Sequence, residues 1–197
     1  MQSRRIERTL RVFDSPADAE AETRRQYREL TPNERVALTV ELQRRYYQAS
    51  DPARRLLREF IRGLNARDVR YLVVGGHAVS FHGYPRFTHD IDVVVLPDER
   101  NAHALVDALS DFGFTLPGLG AADFMKPTTV VLGRAPDQVD IMTFIKGVDL
   151  HDAWSRRVPG LLDGIEASFI ARTDLIANKR AVGRPEDLAD IARLDDP

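Results

Sequence analysis

The chain has 197 residues, of which 43% are hydrophobic and 29% are charged, a balance typical of a globular protein with a sizeable core. No apolar run approaches the roughly 20 residues that span a bilayer, and no signal-peptide core follows the N-terminus, so we expect a cytoplasmic protein with no membrane partner. The absence of cysteine excludes disulfides, thiolate zinc sites and cysteine nucleophiles. Any metal must therefore bind carboxylates or histidines.

Charge is distributed unevenly along the chain, although the net charge is only -2. Residues 1–62 contain 14 arginines and 10 acidic residues, a sum of +4, whereas the remainder contains 14 basic and 20 acidic residues, a sum of -6. This balance argues against a strongly basic nucleic-acid binder. For the front part, a weak RNA-facing role and a solvated face of charged helices both remain open.

The first third of the chain is predicted to be helical. Thr31-Pro32-Asn33-Glu34 is a capping box with proline at the first helical position, and Asp51-Pro52 repeats the cap-and-proline signal before a helix that ends near Asn65. Residues 15–30 are rich in Ala, Glu and Arg and also read as a helix. These patterns predict a helical arm over residues 1–65 that dimerises or binds a partner.

From residue 66 onward the pattern alternates between strands and helices. Buried strands are predicted at 71–74 and 91–96 and further strands at 128–132 and 139–143, with helices at 78–82, 98–112, 173–181 and 185–194. This order predicts an α/β (α+β) domain over residues 66–197, with a small mixed sheet flanked by helices.

The chemistry is concentrated around three acids and a glycine turn. Asp90 and Asp92 alternate with apolar residues in a predicted strand, so their carboxylates share one face, a geometry suited to a divalent cation. Gly75-Gly76 follows the preceding strand, where glycine allows a phosphate to approach backbone N–H groups. Asp140 is a third acid within an apolar strand, and burying it unpaired would be costly. Three such acids fit two-metal phosphoryl or nucleotidyl transfer.

In order and spacing, Gly75-Gly76, Asp90-x-Asp92 and Asp140 resemble the motif of polymerase-beta-like nucleotidyltransferases. The context Arg86-x-Thr88-x-Asp90, together with the segments 174–180 and 184–190, is similar more narrowly to the abortive-infection (type IV toxin) branch and its uncharacterised relatives. The resemblance covers residues 66–195. It implies the nucleotidyltransferase fold, preceded here by the helical arm.

The resemblance implies that a nucleoside monophosphate passes from a triphosphate such as ATP or GTP to a hydroxyl of RNA, protein or a small molecule. Asp90, Asp92 and Asp140 would be the catalytic residues and would bind Mg²⁺, with Mn²⁺ as an alternative. By the same resemblance, Lys179 and Arg184 contact phosphate or brace the site, with Asp187 as their partner.

The candidate nucleotide-binding residues fall in three segments of the chain. They are Gly75, Gly76, His77, Arg86, Thr88, Lys179 and Arg184. His77 follows the glycine turn and is placed to contact phosphate. Arg86 either clamps phosphate or pairs with Asp92, and Thr88 orients the loop.

A different class of function is also open. The fold would then serve as a non-catalytic nucleotide-binding or antitoxin-like module with a helical interaction arm. In either case the resemblance to toxins suggests a toxin–antitoxin or phage-defence system, in which the N-terminal helices form a homodimer or bind an antitoxin.

Overall fold

A computed structural model describes residues 16–47, 51–86, 88, 90–114, 118–133 and 138–195. The segment 1–15 of the predicted arm and His89 lie outside the described residues, as do the side chains of Tyr46 and Tyr47. Three helices open the described part: α1 (Pro16–Glu29), α2 (Pro32–Tyr47) and α3 (Asp51–Ala66).

The capping box predicted before α2 is confirmed. The Thr31 N–H donates to Glu34 Oε2 at 2.9 Å, and the Glu34 N–H donates to Thr31 Oγ1 at 3.3 Å. Each residue thus satisfies a backbone donor of the other, which fixes the start of the helix.

A mixed α/β unit follows the opening helices. Its strands are β1 (Tyr71–Val73), β2 (Asp90–Val95), β3 (Thr129–Leu132), β4 (Gln138–Met142), β5 (Val158–Leu162) and β6 (Ile165–Phe169). Its helices are α4 (Gly75–His82), α5 (Glu99–Asp111), α6 (Leu150–Ser155), α7 (Arg172–Val182) and α8 (Pro185–Asp195), with a short 3₁₀ helix at Ala121–Met125.

The strands form one six-stranded sheet in the order β3-β4-β2-β1-β6-β5. The pairs β2·β4 and β1·β6 are parallel, whereas β1·β2, β3·β4 and β5·β6 are antiparallel. The prediction of a small mixed sheet flanked by helices is therefore confirmed. Because β2 lies between β1 and β4, its residues are held at the centre of the sheet.

Two helices of the predicted arm, α2 and α3, contribute to the same hydrophobic core as the sheet. Val36 and Val40 of α2 are buried in it, and so are Phe60, Ile61 and Leu64 of α3. Burying these apolar side chains against the sheet ties α2 and α3 to the α/β unit. Among the described residues, no helix has the length and apolar character needed to cross a membrane.

The hairpin of β5 and β6, with α6 before it, is not predicted by the sequence patterns above. Its turn is Asp163-Gly164, and both residues have positive φ, 47° and 79°. Two such residues between two strands form the turn that matches the twist of a hairpin, and Asp-Gly is a preferred sequence for it. That dipeptide is the signal in the sequence that locates the hairpin.

Candidate active site

Three carboxylates meet at the centre of the sheet. Asp90 and Asp92 alternate along β2 with the buried residues Ile91 and Val93, so both project from the same face. In the parallel pairing of β2 with β4, Asp92 lies opposite Asp140. One carboxylate oxygen from each of the three acids lies within 4.8 Å of the others, and all three side chains are half-buried. The structure therefore brings together the three acids that the sequence singles out.

The glycine turn packs directly against this acid cluster. Gly75 has φ +59°, and a Cβ at that position would lie 1.9 Å from Asp92 Oδ2. A Cβ on Gly76 would lie 2.7 Å from Thr88 Oγ1, and the Val74 N–H donates to the Asp92 carbonyl at 2.9 Å. Both glycines are therefore required by close approach, and Gly75 also by its backbone conformation.

Helix α4 starts at this turn, three residues earlier than the sequence predicts. The residue before it, Val74, offers no side-chain cap. The first N–H groups of a helix have no partner inside the helix. The positive end of the helix dipole also lies there, and it favours an anion. The start of α4 thus presents backbone donors beside the three carboxylates, an arrangement that suits a phosphate bridged by a cation.

His77 lies in the first turn of α4 and is almost fully buried, with 1% exposure. Neither ring nitrogen has a hydrogen-bond partner among the described residues. Burial lowers the pKa of His77 to about 4, against an opposing effect of the Asp90 charge. The imidazole is therefore neutral at pH 7.

The surroundings of Asp92 disfavour the charged form of its carboxyl group. Burial, followed by the charges of Asp90 and Asp140, raises its pKa to about 7, although Lys179 and Arg86 act in the opposite direction. A carboxylate in this position holds its charge poorly without a cation. A divalent metal ion would remove that penalty.

A buried ionic network lies beside the acids. Lys179 of α7 is 5% exposed, and its Nζ lies 3.0 Å from Asp187 Oδ1 and 2.8 Å from Asp190 Oδ2 of α8. Arg86 donates to Asp190 at 2.5 Å, so its ion-pair partner is Asp190 and it influences Asp92 only from a longer distance. Lys179 has the partner that the resemblance implies, Asp187, and a second one besides.

Asp190 is the member of this network that the sequence reasoning missed. Asp187 and Asp190 stand three residues apart on a helix, so they share one face. The turn at Gly183, with φ +74°, folds α8 back on α7 so that this face meets Lys179. An acid pair at that spacing, following a lysine in an apolar stretch, is the signal that could have found it.

Three further residues each donate a hydrogen bond to an acid of the cluster or of the ionic network. Thr88 Oγ1 donates to Asp90 Oδ1 at 3.1 Å, in keeping with a role in orienting the loop. Gln138, which was not predicted, donates to Asp140 Oδ1 at 2.8 Å. The Arg184 side chain is exposed, and its backbone N–H donates to Asp187 Oδ2 at 3.3 Å.

The sheet, the glycine turn and the acid cluster are those of a nucleotidyltransferase fold. A family model described as nucleotidyltransferase of unknown function (DUF6036) matches residues 55–195. This is well over half of the chain, and the protein belongs to that family. The match starts within α3, so part of the predicted arm is included in it. A search of curated proteins finds no significant match.

Proposed function

We propose that this protein is an active, Mg²⁺-dependent enzyme that transfers a nucleoside monophosphate from a nucleoside triphosphate to a hydroxyl acceptor. The observation that carries the proposal is the meeting of Asp90, Asp92 and Asp140 within 4.8 Å beside the Gly75 turn. Family membership supports the same class of reaction.

The residues present fit a divalent metal ion. The cluster offers only carboxylate oxygens. Carboxylate oxygens suit Mg²⁺ and Mn²⁺ better than they suit softer metal ions. Burial first, and the charges of Asp90 and Asp140 second, raise the pKa of Asp92, and the nearby cations Lys179 and Arg86 do not fully offset this effect. When bound, the metal ion would supply positive charge to the triphosphate and make the α-phosphorus more electrophilic.

The protein's own groups then have separate tasks. Asp90 and Asp92 would hold the metal ion, and the first N–H groups of α4 contact the phosphate oxygens of the triphosphate. Asp140 accepts the proton of the acceptor hydroxyl, whose oxygen forms a bond to the α-phosphorus. The bond from that phosphorus to the bridging oxygen breaks, and pyrophosphate leaves with the electron pair.

The cations beside the site have supporting tasks in this proposal. The charges of Lys179 and Arg86 act on Asp92 and help to keep it ionised. Lys179 is already bound by two carboxylates, so it serves the site by positioning α8 rather than as a free phosphate ligand. Arg184, whose side chain is exposed, is the cation that we assign to an incoming phosphate.

The sequence around the first two acids suggests an acceptor and a biological setting. We propose RNA, protein or a small molecule as acceptor, and a toxin–antitoxin or phage-defence role, because Arg86-x-Thr88-x-Asp90-x-Asp92 is similar to the toxin branch. A toxin should arrest growth when its wild-type gene is expressed in bacteria, and Asp92→Asn should remove that arrest.

The reaction itself is tested with triphosphates labelled at two positions. The protein is incubated with Mg²⁺, total cell RNA and protein, and each nucleotide carrying ³²P at either the α- or the γ-phosphate. Nucleotidyl transfer predicts label on a macromolecule or small acceptor from the α-position and none from the γ-position, which leaves in pyrophosphate.

Variants connect that result to the site. Asp90→Asn/Asp92→Asn should abolish labelling, whereas Asp107→Asn, which neutralises an exposed carboxylate on α5, should leave it unchanged. Transfer from the γ-position would contradict nucleotidyl transfer, and turnover surviving in the double variant would contradict the assigned site. Nucleotide binding without any labelling would favour the non-catalytic alternative.

A further inference from the structure

The outer side of the edge strand β3, here called the β3 edge, lies in one row with the acid cluster. Val131 of β3 pairs with Asp140 of β4, which in turn pairs with Asp92 of β2. Residues that pair directly across strands project from the same face of a sheet, so the Val131 side chain points to the face that carries the acids. It is 54% exposed, whereas its neighbours Val130 and Leu132 are buried in the core. The acid face therefore extends to the β3 edge.

The backbone of β3 also directs hydrogen-bonding groups to this edge. The Thr143 N–H donates to the Thr128 carbonyl at 3.0 Å, just beyond the paired strands β3 and β4. Bonded and non-bonded pairs alternate along an antiparallel ladder, so every second residue of β3 bonds to β4. Thr129 and Val131 then point their N–H and C=O groups away from β4, and these groups have no hydrogen-bond partner among the described residues. They repeat with the two-residue period of an extended peptide.

The strand at the other edge of the sheet, β5, is covered. Helix α2 packs against it, and the Leu161 N–H donates to Asn33 Oδ1 of α2 at 2.9 Å. β5 also contains Pro159, which has no N–H to offer. A covering helix and a proline are two devices that prevent an edge from pairing with another chain. β3 contains no proline, and no side chain of the described residues bonds to its outward N–H and C=O groups.

Apolar side chains are exposed beside the β3 edge. Besides Val131, the exposed large hydrophobic side chains include Met125 and Phe144. Thr143 Oγ1 donates to the Lys126 carbonyl, so the segments that carry Met125 and Phe144 meet beside the start of β3. Outward backbone groups flanked by apolar side chains form a surface to which an extended peptide adds as a further strand. A nucleic acid has no alternating row of N–H and C=O groups and binds mainly through its phosphates, so the edge favours a peptide.

The distance from this edge to Asp140 selects among hydroxyl-bearing side chains. A residue that pairs with Val131 from an added strand lies two strand spacings, about 10 Å, from Asp140. Serine and threonine carry their hydroxyl on Cβ, so it stays above the added strand. Tyrosine carries its hydroxyl at the far end of an aromatic ring, which is long enough to pass over the short Val131 side chain toward the Asp140 carboxylate. The row of paired residues therefore favours tyrosine.

We propose that the hydroxyl acceptor is a tyrosine of an extended protein segment, which pairs with the β3 edge as an additional strand. Such an acceptor rests on the nucleotidyl transfer proposed above and names its substrate. The tyrosine oxygen forms a bond to the α-phosphorus, and its proton passes to Asp140. The bond from that phosphorus to the bridging oxygen breaks, and pyrophosphate leaves with the electron pair. The product is a tyrosine joined to the nucleotide by a phosphodiester.

The test uses the full chain with Mg²⁺, total cell protein and RNA, and each nucleotide carrying ³²P at the α-phosphate, and mass spectrometry locates the transferred nucleotide. Val131→Pro removes an outward N–H without removing a bond to β4, and Val131→Trp fills the space above the edge and leaves the backbone intact. Leu161→Trp is the matched control, since it adds the same ring at an exposed position of the opposite edge strand. Urea unfolding shows whether each variant is folded, and Val131→Trp decides the result if the proline variant is not.

The nucleotide should be found on protein tyrosine, and each Val131 variant should reduce this labelling about tenfold or more, since a docking hydrogen bond or the space for the ring is lost. Leu161→Trp should stay within about twofold of the wild type, a change smaller than one hydrogen bond produces. All three variants should bind Mn²⁺ and a non-hydrolysable triphosphate as the wild type does.

Label confined to RNA, to small molecules or to serine and threonine overturns the tyrosine acceptor. Docking at the β3 edge is overturned if the Val131 variants label protein as well as the wild type does, or if they lose labelling together with triphosphate binding. These outcomes differ from a failure of the transfer itself, in which no pool acquires label from the α-phosphate.

Discussion

Replacing Asp92 by asparagine should stabilise the metal-free protein while it removes activity. The pKa of this carboxyl is about 7 in the folded chain and 3.8 for the unperturbed group, because burial and two neighbouring acids disfavour its charge. That difference in pKa corresponds to a free-energy cost of roughly 4 kcal/mol to the folded state at pH 8. Local relaxation of the structure should reduce this cost to about 2 kcal/mol. Asparagine has nearly the same shape and no charge, so it removes this cost.

The sign of the pH dependence follows from the raised pKa. The folded state retains the proton to higher pH than the unfolded state, so the wild type loses stability as the pH rises from about 4 to about 7. The stability difference between Asp92→Asn and the wild type should therefore be largest at pH 8 and should shrink toward pH 4.

Urea unfolding in EDTA at several pH values measures this difference. The control Asp107→Asn should show no comparable gain, because that carboxylate is exposed. Saturating Mg²⁺ with a non-hydrolysable triphosphate should stabilise the wild type and leave Asp92→Asn nearly unchanged. A variant that is less stable than the wild type at pH 8 in EDTA would contradict a charge penalty at Asp92.

Three further predictions concern the surroundings of the acids. Gly75→Ala should destabilise the fold by about 2 kcal/mol or more in urea unfolding and abolish labelling, because the added Cβ would collide with the Asp92 carboxylate. Gly118→Ala is the control, since a Cβ there would meet nothing within 4 Å. It should show only the smaller backbone effect of the positive φ at that position. Lys179→Met should cost about 3–5 kcal/mol by the same measurement, since it leaves the buried carboxylate of Asp187 without its cation and removes one of the cations that Asp190 shares with Arg86. Lys146→Met at an exposed position should cost little. The imidazole of His77 should stay neutral on NMR titration until the pH falls toward 4. Because its pKa in the folded chain lies below that in the unfolded chain, His77 lowers the stability of the fold as the pH drops from about 6.5 to 4. A titration midpoint near 6.5 would contradict its burial.

The parts of the fold that the sequence predicts are those with strong local signals. The capping box at Thr31 places the start of α2, and the apolar β-branched runs place β1 and β2, because these signals act within a few residues. β5 and β6 lack a continuous apolar run, since β5 alternates half-buried with exposed positions and contains Pro159 and Gly160. Their hairpin depends on the Asp163-Gly164 turn and on the pairing of β6 with β1. The second of these contacts cannot be seen in the sequence alone.

The candidate site also combines features that the local sequence predicts with features that depend on distant parts of the chain. The alternation of Asp90 and Asp92 follows from strand geometry, so their shared face is predictable from spacing alone. That Asp140 lies opposite Asp92 depends on the parallel register of β2 and β4, which is set by the whole sheet. The pairing of Arg86 with Asp190 joins residues 104 positions apart, and no local pattern records it. Contacts of this range require the tertiary structure.

The most direct test of the acid cluster is a titration with Mn²⁺ followed by electron paramagnetic resonance. Free Mn²⁺ gives a strong six-line signal that falls when the ion is bound by protein. With a non-hydrolysable triphosphate present, the wild type should reduce this signal beyond what the nucleotide alone does. The difference should disappear in Asp90→Asn/Asp92→Asn and persist in Asp107→Asn. Equal signals for the wild type and the double variant would contradict the assignment of these carboxylates as a metal site.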